Sequence, residues 1–302
     1  MNRWLDLDGV ANMRDVGGIP TADGGTIQPR RLIRSDNLQD LSEADVRRLI
    51  EIVCVTDIVD LRSHREVHVT GEGPLRATAL RHHHHSFFPD PTPKAPAPEF
   101  LAAPHHDSTP RDDSTPGDAA ATSEAPSDGD VGRDPAPAEP EQDAAPAPTM
   151  PREPRGPLDE GYWSQHYRGY LTTRPDSVAA ALSVVATAAG ATVVHCAAGK
   201  DRTGTVVGLA LSVAGVPHDA IVEDYALSGE RIDRILERLS GRPPYKLAGG
   251  PEERERQIPR AASMELLLGI VDEEYGGAAG WLRAQGWTDA EIETLRLKLI
   301  RP

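Results

Sequence analysis

The stretch VVHCAAGKDRTG, residues 193–204, brings a cysteine, a lysine, an aspartate and an arginine together in one short segment. The small residues and the glycine between Cys196 and Arg202 allow backbone N–H groups to turn inward and form an anion-binding concavity. A helix that begins near Thr203 would direct its positive N-terminal end at the same point. Arg202 can donate two parallel hydrogen bonds to phosphate oxygens, and the positive field favours the thiolate of Cys196. The pattern predicts a nucleophilic cysteine in a phosphate-binding loop.

Three other interpretations of this loop are weaker. A Walker A loop needs a glycine where Val194 stands and a serine or threonine where Asp201 stands, so that motif is absent. A cysteine that is buried only for packing would not require the C-x5-R spacing. A rhodanese-like sulfur-transfer loop also holds a cysteine in an anion-binding turn. However, His195 before the cysteine and the Thr-Gly pair after the arginine favour phosphate chemistry.

The segment HCAAGKDRTG resembles the signature loop H-C-x5-R-[ST] of the cysteine-dependent tyrosine phosphatase superfamily, and its GKDRTG part is similar to the bacterial PtpB-type branch. Four further segments agree with that branch, namely NMRDVGG at 12–18, LIRSDNL at 32–38, DIVDLRSHREV at 57–67 and YGGAAGWLRAQG at 275–286. Members of this branch hydrolyse phosphotyrosine, phosphoserine/threonine and phosphoinositides to differing degrees. The resemblance implies an α/β protein tyrosine phosphatase fold and a phosphatase that needs no metal and no cofactor.

The same resemblance implies a role for each residue of the loop. Cys196 would attack phosphorus and form a phosphocysteine, while Arg202 and the loop amides hold the equatorial oxygens. Thr203 would hydrogen-bond the thiolate. Lys200 would lie beside the phosphate or a second inositol phosphate, with an ordinary solvated lysine as the alternative. The residues expected to bind phosphate or substrate are Ala197, Ala198, Gly199, Lys200 and Thr203. The residues expected to support the loop are His195, Arg14, Asp15 and Asp60, for which ordinary structural contacts are the alternative.

The leaving oxygen needs a proton, and two aspartates compete to supply it. Asp90 ends the segment FFPD, where the mobile-loop acid of the superfamily would stand if residues 89–157 were removed from the count. The PtpB-type branch implies instead the aspartate inside the signature loop, which is Asp201. We favour Asp201 because a rigid turn would hold it near the leaving group, and Asp90 remains the alternative general acid.

Strands and helices alternate on both sides of residues 89–157. Strands are predicted in RRLIRSDNL, CVTDIVDLRS, LRATALRHHHHSFF and ATVVHC, and a helix in SEADVRRLIEI begins after the capping residue Ser42. The chain beyond 157 is mostly helical, with one helix expected to close at Gly190. This alternation predicts an α/β fold with a central, mostly parallel sheet flanked by helices. By resemblance, the helices at 219–240 form a lid with a Ser-Gly hinge at 228–229.

Residues 89–157 differ in composition from the rest of the chain. They hold most of the 27 prolines and most of the net charge of −15, with a single aromatic residue. Such a segment cannot bury enough apolar surface to offset its ordering entropy, so it is predicted to be a disordered insertion in a single phosphatase domain spanning 1–302. Its P-x-x-P spacings are a possible partner-binding site, although a solvated insertion without partners is favoured.

Composition also excludes several classes of protein. An acidic chain argues against nucleic acid as a partner, and no apolar run is long enough for an integral membrane segment. The N-terminal residues lack a general secretory signal, and two cysteines do not make a disulfide framework, so a cytoplasmic protein is expected, with export by a non-general route left open. At most two side chains of the HHHH run at 82–85 could converge on one metal, so no metal site is predicted. Cys54 is expected in the core, with a redox role towards Cys196 as the alternative.

The predicted function is therefore hydrolysis of phosphomonoesters by Cys196. Substrates expected from the resemblance are phosphotyrosine proteins, together with phosphoserine/threonine or phosphoinositides, and an apolar lid would suit a lipid-linked phosphate. Two alternatives are kept. One is a strict protein-tyrosine phosphatase, and the other is a catalytically idle phosphate-binding module whose proline-rich insertion recruits partners.

Overall fold

The computed structural model describes residues 3–89, 160–245, 247 and 249–301 of the 302-residue chain. These residues belong to one unit of the chain, Met1–Asp90 together with Pro148–Pro302. Asp90, the P-x-x-P motifs and the rest of the predicted insertion beyond Pro89 lie outside the described residues. Disorder of the insertion, its binding of partners and the single-domain organisation stay predictions.

The strands of the described residues form one sheet of five and one pair. The seven strands are β1 Arg14–Asp15, β2 Thr26–Ile27, β3 Leu32–Ser35, β4 Val55–Asp60, β5 Arg81–His84, β6 Ala191–His195 and β7 Ile300–Arg301. The five-stranded sheet has the order β1-β3-β6-β4-β5, and the other pair joins β2 to β7. Strands β3, β6, β4 and β5 run parallel, whereas β1 is antiparallel to β3. The predicted α/β class with a mostly parallel sheet is confirmed.

Helices flank this sheet. They are α1 Glu43–Glu51, α2 His64–Thr70, α3 Glu160–Thr173, α4 Pro175–Thr187, α5 Asp201–Val213, α6 His218–Ala226, α7 Ile232–Leu239, α8 Gly250–Gln257, α9 Ala261–Tyr275, α10 Ala278–Ala284 and α11 Asp289–Leu299. Two 3-10 turns span Pro74–Ala77 and Leu227–Arg231. The predicted cap of α1 is confirmed, since Ser42 and Asp45 bond each other's backbone N–H groups. No helix within the described ranges is both long and apolar enough to cross a bilayer.

Strand β6 in the middle of the sheet is covered on both faces, which explains its nearly continuous apolar sequence ATVVH. All residues of β3 and β6 are buried. In β6 the side chains alternate, so that Val194 joins the cluster that includes α4, α5, α9 and α11. Its neighbour Val193 joins the cluster on the other face, which contains Leu49 of α1 and Leu75. The sheet is therefore a rigid two-sided support for whatever follows its strands.

The structure corrects two predictions at the start of β4. Cys54 is exposed, with a φ of +62°, so it is not a core residue. Helix α4 ends at Thr187, and Gly190 does not cap it. A Cβ at Gly190 would lie 2.4 Å from the carbonyl oxygen of Cys54, so this glycine allows two segments of backbone to approach closely. Neither feature is visible in hydrophobic periodicity.

The carboxyl ends of the four parallel strands meet at one edge. Ser35, His195, Asp60 and His84 end β3, β6, β4 and β5 and stand in register across the sheet. The segment after each strand therefore opens at the same edge, which is where parallel α/β sheets bind ligands. Cys196 is the first residue of one of these segments.

The predicted lid region, 219–240, is α6, the second 3-10 turn and α7. Its predicted hinge residue Ser228 is fully buried, and its hydroxyl accepts hydrogen bonds from Asn12 and Arg14. Asp224 of α6 is also buried and forms ion pairs with Arg14 and Arg34. Ser228 is thus hydrogen-bonded to the first part of the chain, and the hinge at 228–229 and the lid function both stay predictions.

Candidate active site

The signature loop, residues 196–202, connects β6 to α5. Cys196 is only 2% exposed, and the backbone around it is bonded to both neighbouring segments of the sheet edge. The N–H of Leu61 donates to the carbonyl of His195 at 2.9 Å, and the N–H of Asn37 donates to that of Ala197 at 3.1 Å. The thiol therefore stands on a backbone that is fixed from both sides.

The carbonyl groups of the loop point away from its centre, towards three side chains that we call the outer ring: Asn12, Arg34 and Asn37. The amide of Asn12 donates to the carbonyls of Ala198 at 2.9 Å and Gly199 at 3.2 Å. Arg34 donates to Gly199 at 3.0 Å, and the amide of Asn37 donates to the carbonyl of residue 197 at 3.3 Å. Because successive carbonyls are held outward, the N–H groups are turned towards the inside of the loop.

Those N–H groups are available for an anion. Within the described part of the chain, no backbone acceptor bonds the amides of residues 197–200. The first turn of α5, which begins at Asp201, adds further N–H groups and the positive end of the helix dipole. Gly199 makes this shape possible, since its φ is +67° and a Cβ there would lie 2.4 Å from the backbone of Ser35.

Arg202 is held by Glu66 of α2. Its Nη1 lies 2.7 Å from Oε2 of Glu66 and its Nη2 lies 3.0 Å from Oε1, and Nη1 also donates to the carbonyl of Leu61 at 3.3 Å. Burial raises the pKa of Glu66, but Arg202 outweighs that effect and lowers it to about 2. Glu66 is thus a carboxylate at any working pH and fixes the plane of the guanidinium.

The same contacts leave one edge of that guanidinium for a ligand. Three of its five N–H groups are used by Glu66 and Leu61, which leaves the Nε–H and one N–H of Nη2 without an acceptor among the described residues. These two N–H groups are parallel and match two oxygens of a phosphate. The guanidinium also lies over the ring of Phe88, 5.3 Å from its centroid.

Asp201 is the first residue of α5 and is bonded by two tyrosines. The hydroxyl of Tyr167 lies 2.5 Å from its Oδ1, and that of Tyr225 lies 3.3 Å away. Burial alone would raise the pKa of Asp201. The pKa nevertheless lies below its usual value, because burial is outweighed by Lys200, the Tyr167 hydroxyl, His166 and Arg202. Asp201 is therefore ionised in the free protein at neutral pH. Its role as general acid stays a prediction.

Lys200 directly precedes α5, and Thr203 lies in the first turn of that helix. Lys200 is 2% exposed, and its Nζ donates to the backbone carbonyl and, at 3.1 Å, to Oε1 of Gln257 at the end of α8. Thr203 is fully buried, and its hydroxyl has no hydrogen-bond partner among the described residues. The contacts predicted for these two residues with phosphate and with the thiolate stay predictions.

The ring of His195 lies between the backbone of Cys196 and the carboxylate of Asp60. Nδ1 of His195 is 3.4 Å from the carbonyl of Cys196, and Nε2 is 3.8 Å from Oδ2 of Asp60. Burial is the main reason that the pKa of His195 falls to about 4, so the ring is neutral at pH 7. Burial raises the pKa of Asp60, but His195 and the bonded guanidinium of Arg62 lower it well below its usual range.

Three residues of the segment NMRDVGG differ in what they contact. Asn12 bonds the signature loop, Arg14 orients the amide of Asn12, and Asp15 bonds neither. Arg14 donates to Oδ1 of Asn12 at 2.6 Å, which turns the NH2 of that amide towards the loop. Burial and the nearby Arg34 lower the pKa of Arg14 to about 9. Asp15 instead accepts the backbone N–H groups of Gly17 and residue 30, so it holds a turn and has no bond to the signature loop. The expected support from Asp15 is corrected accordingly.

The opposite side of the loop is apolar. Ala197 packs with Ala11, Ile235 and Leu239, and partly buried residues Ala198, Tyr245 and Leu247 pack on the same cluster. The hydroxyl of Tyr245 is buried and has no hydrogen-bond partner among the described residues. Burial is the main reason that the pKa of Tyr245 is raised, and Glu66 raises it further.

Three histidines of the run at 82–85 direct their ring nitrogens to separate acceptors. His82, His83 and His84 each direct Nε2 to a different acceptor, respectively the carbonyl of Leu75, the carboxylate of Asp57 and the carbonyl of residue 62. In the described ranges, no three His, Cys, Asp or Glu side chains are arranged to hold a metal ion. Strand pairing and local hydrogen bonds explain the first three histidines, whereas the buried Nε2 of His85 has no hydrogen-bond partner among the described residues.

Several residues of the site were not predicted from the sequence as parts of it. Arg34, Asn37 and Glu66 lie inside the segments LIRSDNL and DIVDLRSHREV, whose agreement with the PtpB-type branch was noted without a role for these positions. That agreement is the signal that could have identified them. Tyr167 and Tyr225 stand in ordinary helical sequence, where nothing marks them as partners of Asp201.

The comparisons with known proteins agree with this geometry. Residues 5–301 match the family model described as tyrosine phosphatase family, and the chain belongs to that family. The triple specificity protein phosphatase PtpB of Mycobacterium tuberculosis is 29% identical over 303 residues, which cover 96% of this chain and 97% of that protein. A tyrosine-protein phosphatase of Nostoc commune is 36% identical over 116 residues, or 36% of this chain and 39% of that protein. The resemblance noted in the sequence is confirmed, and the chain is a phosphatase.

Proposed function

We propose that this phosphatase hydrolyses phosphomonoesters through a phosphocysteine intermediate on Cys196, with phosphotyrosine proteins as substrates and phosphoserine/threonine or phosphoinositides as further classes. One observation carries the proposal. The thiol of Cys196 begins a loop whose carbonyls are tied outward by the outer ring, so the inward N–H groups and the unused edge of Arg202 form a site for a phosphate beside the nucleophile.

In the first step, the thiolate of Cys196 attacks phosphorus, and the S–P bond forms as the P–O bond to the leaving group breaks. The inward amides and the two parallel N–H groups of Arg202 bind the three equatorial oxygens, where negative charge is concentrated. The leaving oxygen takes a proton from Asp201, which becomes a carboxylate. Asp201 is ionised in the free protein, so it must gain a proton before it can donate one. The negative charge of the bound phosphate raises the pKa of Asp201 and so favours that protonation.

In the second step, a water molecule attacks the phosphocysteine. The P–O bond forms, the S–P bond breaks with return of the electron pair to sulfur, and the carboxylate of Asp201 accepts the proton from water. The products are inorganic phosphate and the thiolate of Cys196. Asp90, the alternative proton donor, lies outside the described residues, so Asp201 is the candidate whose surroundings can be specified.

The surroundings of the loop support a substrate with an aromatic or apolar group next to its phosphate. Phe88 lies under Arg202, and Tyr245 and Leu247 pack beside Ala198, so the polar phosphate site has apolar neighbours. The name of the mycobacterial relative, a triple specificity phosphatase, supports action on more than one class of phosphoester. A strict tyrosine phosphatase remains the alternative that a substrate panel decides.

Turnover of an aryl phosphate by matched cysteine variants tests the mechanism. The variant Cys196→Ser is expected to lose at least about a thousandfold in kcat, since it removes the nucleophile. The variant Cys54→Ser is the control, because Cys54 is the other cysteine of the chain and is exposed. It should retain wild-type turnover, and acid quenching should trap labelled phosphate on the wild type but not on Cys196→Ser.

Two outcomes would contradict the proposal in different ways. Turnover that persists in Cys196→Ser would exclude the phosphocysteine mechanism. A wild-type protein that binds inorganic phosphate but hydrolyses no ester in a panel of phosphotyrosine peptides, phosphoserine/threonine peptides and phosphoinositides would be an idle phosphate-binding module. Hydrolysis of the phosphotyrosine peptides alone would identify a strict tyrosine phosphatase.

A further inference from the structure

The carboxylate of Asp201 and the two tyrosine hydroxyls form a triangle on one side of the active site. The hydroxyls of Tyr167 and Tyr225 lie 2.5 Å from each other, and both lie within hydrogen-bond distance of the same oxygen, Oδ1. Tyr167 comes from α3 and Tyr225 from α6, and both side chains are buried. Two helices that are distant in sequence thus converge on one atom of the candidate proton donor.

The direction of these hydrogen bonds follows from the number of protons. Burial raises the pKa of Tyr167 and of Tyr225, and Asp201 raises both further, so both hydroxyls keep their protons. The two hydroxyls share two protons among three contacts: Tyr167 donates to Oδ1 at 2.5 Å, and Tyr225 donates either to Oδ1 or to the oxygen of Tyr167, while the ionised Oδ1 only accepts. A negatively charged acceptor makes such bonds stronger, so they favour the ionised form of Asp201.

The second oxygen of Asp201 is in a different environment. Oδ2 lies 3.8 Å from Nζ of Lys200, and the side chain of Asp201 keeps 23% of its exposure. The residues that line a cleft at the Asp201 side chain, too narrow to hold a water molecule, are Lys200, Asp201, Tyr225, Ile258, Arg260 and Ser263. The titratable and charged groups around Asp201 are Lys200, Arg202, His166, Tyr167, Tyr170, Tyr225 and Arg260.

We infer that Tyr167 and Tyr225 are positioning residues for proton transfer: their hydroxyls bind Oδ1 of Asp201 and leave Oδ2 as the atom that carries the proton. This inference rests on the proposed function. When the P–O bond to the leaving group breaks, the proton on Oδ2 moves to the leaving oxygen, and water returns a proton to Oδ2 in the second step. The tyrosines keep their own protons throughout, so they set where and at which pH Asp201 is protonated.

The alkaline limb of the pH profile of kcat tests this inference. With phenyl phosphate, a poor leaving group, kcat should fall as pH rises through the pKa of Asp201 in the complex, and Asp201→Asn should abolish that limb. Removing a hydrogen bond to a carboxylate raises its pKa. Tyr167→Phe is therefore expected to move the limb to higher pH by about one unit, and Tyr225→Phe by less, since its contact is longer.

Tyr170→Phe is the matched control. Tyr170 is a buried tyrosine of the same helix as Tyr167, but its hydroxyl bonds Nε2 of His166 and not Asp201. The alkaline limb of kcat for Tyr170→Phe should stay within about 0.2 pH units of that of the wild type. Thermal unfolding of the three variants separates a loss of fold from a shift of the limb, because loss of folded protein lowers the whole profile without moving it.

The inference is overturned if Tyr167→Phe and Tyr170→Phe move the limb equally, if Tyr167→Phe lowers kcat at every pH without a shift, or if Asp201→Asn leaves the limb in place. None of these results affects the role of Cys196, which the turnover of Cys196→Ser decides independently. Conversely, persisting turnover in Cys196→Ser would reject the proposed function whatever the tyrosine variants do.

Discussion

The ion pair between Glu66 and Arg202 should contribute strongly to stability, although it lies at the candidate active site. Glu66 is 7% exposed and bonds Arg202 through both carboxylate oxygens. A pKa lowered from 4.5 to about 2 corresponds to roughly 3 kcal/mol of preference for the ionised, paired state in the folded protein. We therefore expect Glu66→Gln to lower the free energy of unfolding by about 2–3 kcal/mol at pH 7.

The pH dependence has a definite sign. A carboxyl whose pKa is lower in the folded state stabilises the protein above the pKa of the unfolded state and loses that contribution as pH falls. The difference between wild type and Glu66→Gln should therefore be complete above about pH 5 and should shrink as pH falls from about 4.5 towards 2. Urea unfolding at a series of pH values from 7 to 3 measures this difference directly.

A second glutamate–arginine pair supplies the control. Glu72 and Arg76 form an ion pair at 3.2 Å, with side chains 45% and 55% exposed. Glu72→Gln should change the free energy of unfolding by less than about 0.5 kcal/mol, because exposed pairs gain little. The reasoning is refuted if Glu66→Gln costs no more than Glu72→Gln at pH 7, or if its effect is the same at pH 3.

The same substitution should also weaken substrate binding. In the wild type, Glu66 fixes the plane of the Arg202 guanidinium, and the free edge of that plane is the proposed phosphate contact. A guanidinium without this restraint samples other orientations, so KM for an aryl phosphate should rise roughly tenfold in Glu66→Gln. Glu72→Gln should leave KM unchanged, and an unchanged KM in Glu66→Gln would show that Arg202 does not need this partner for binding.

Four smaller changes test other parts of the site. Gly199→Ala should abolish detectable binding of inorganic phosphate by calorimetry, because its Cβ would collide with the backbone of Ser35 at a positive φ, and retained affinity would disprove the need for that shape. Asn12→Ala should raise KM roughly tenfold with a small change in kcat, since the carbonyl of Ala198 loses its donor and that of Gly199 keeps only Arg34, whereas a loss confined to kcat would point to another role. The pKa of His195 is lowered to about 4, so the contribution of the neutral ring to stability is complete above pH 6.5 and is lost as pH falls towards 4, at up to about 1.4 kcal/mol per pH unit. In denaturant unfolding at a series of pH values, His195→Asn should lack this slope. An equal slope in the variant would contradict the assignment. Tyr245→Phe should leave the free energy of unfolding unchanged or raise it, because the lost hydroxyl has no partner among the described residues, and a loss above about 1 kcal/mol would reveal a missed hydrogen bond.

The sequence predicted the parts of the fold that local chemistry determines. The capped start of α1 at Ser42 and the β-branched run that became β4 are such parts, because each depends on residues within a few positions. The class of the fold also follows, since strands alternating with helices have few ways to cover a sheet. The signature loop was predicted because all its chemistry lies in one segment.

The partners of that loop could not be predicted in the same way. Glu66 lies 136 positions from Arg202 and is recognised only when α2 is placed beside the start of α5. Tyr167 and Tyr225 reach Asp201 across 34 and 24 positions. Hydrophobic periodicity reports which face of a helix is buried but not which side chain it meets, so tyrosines that bind a carboxylate look the same as core tyrosines.

The outer ring has a consequence for how activity is acquired during folding. Asn12, Arg34 and Asn37 come from the first part of the chain, and the carbonyls that they bind lie about 160–190 positions later. The loop therefore cannot take its anion-binding shape from its own sequence, and contacts so distant in sequence are slow to form. Catalytic competence should then be one of the last properties to appear on refolding, so that recovery of turnover follows recovery of helical signal and reports the completed fold.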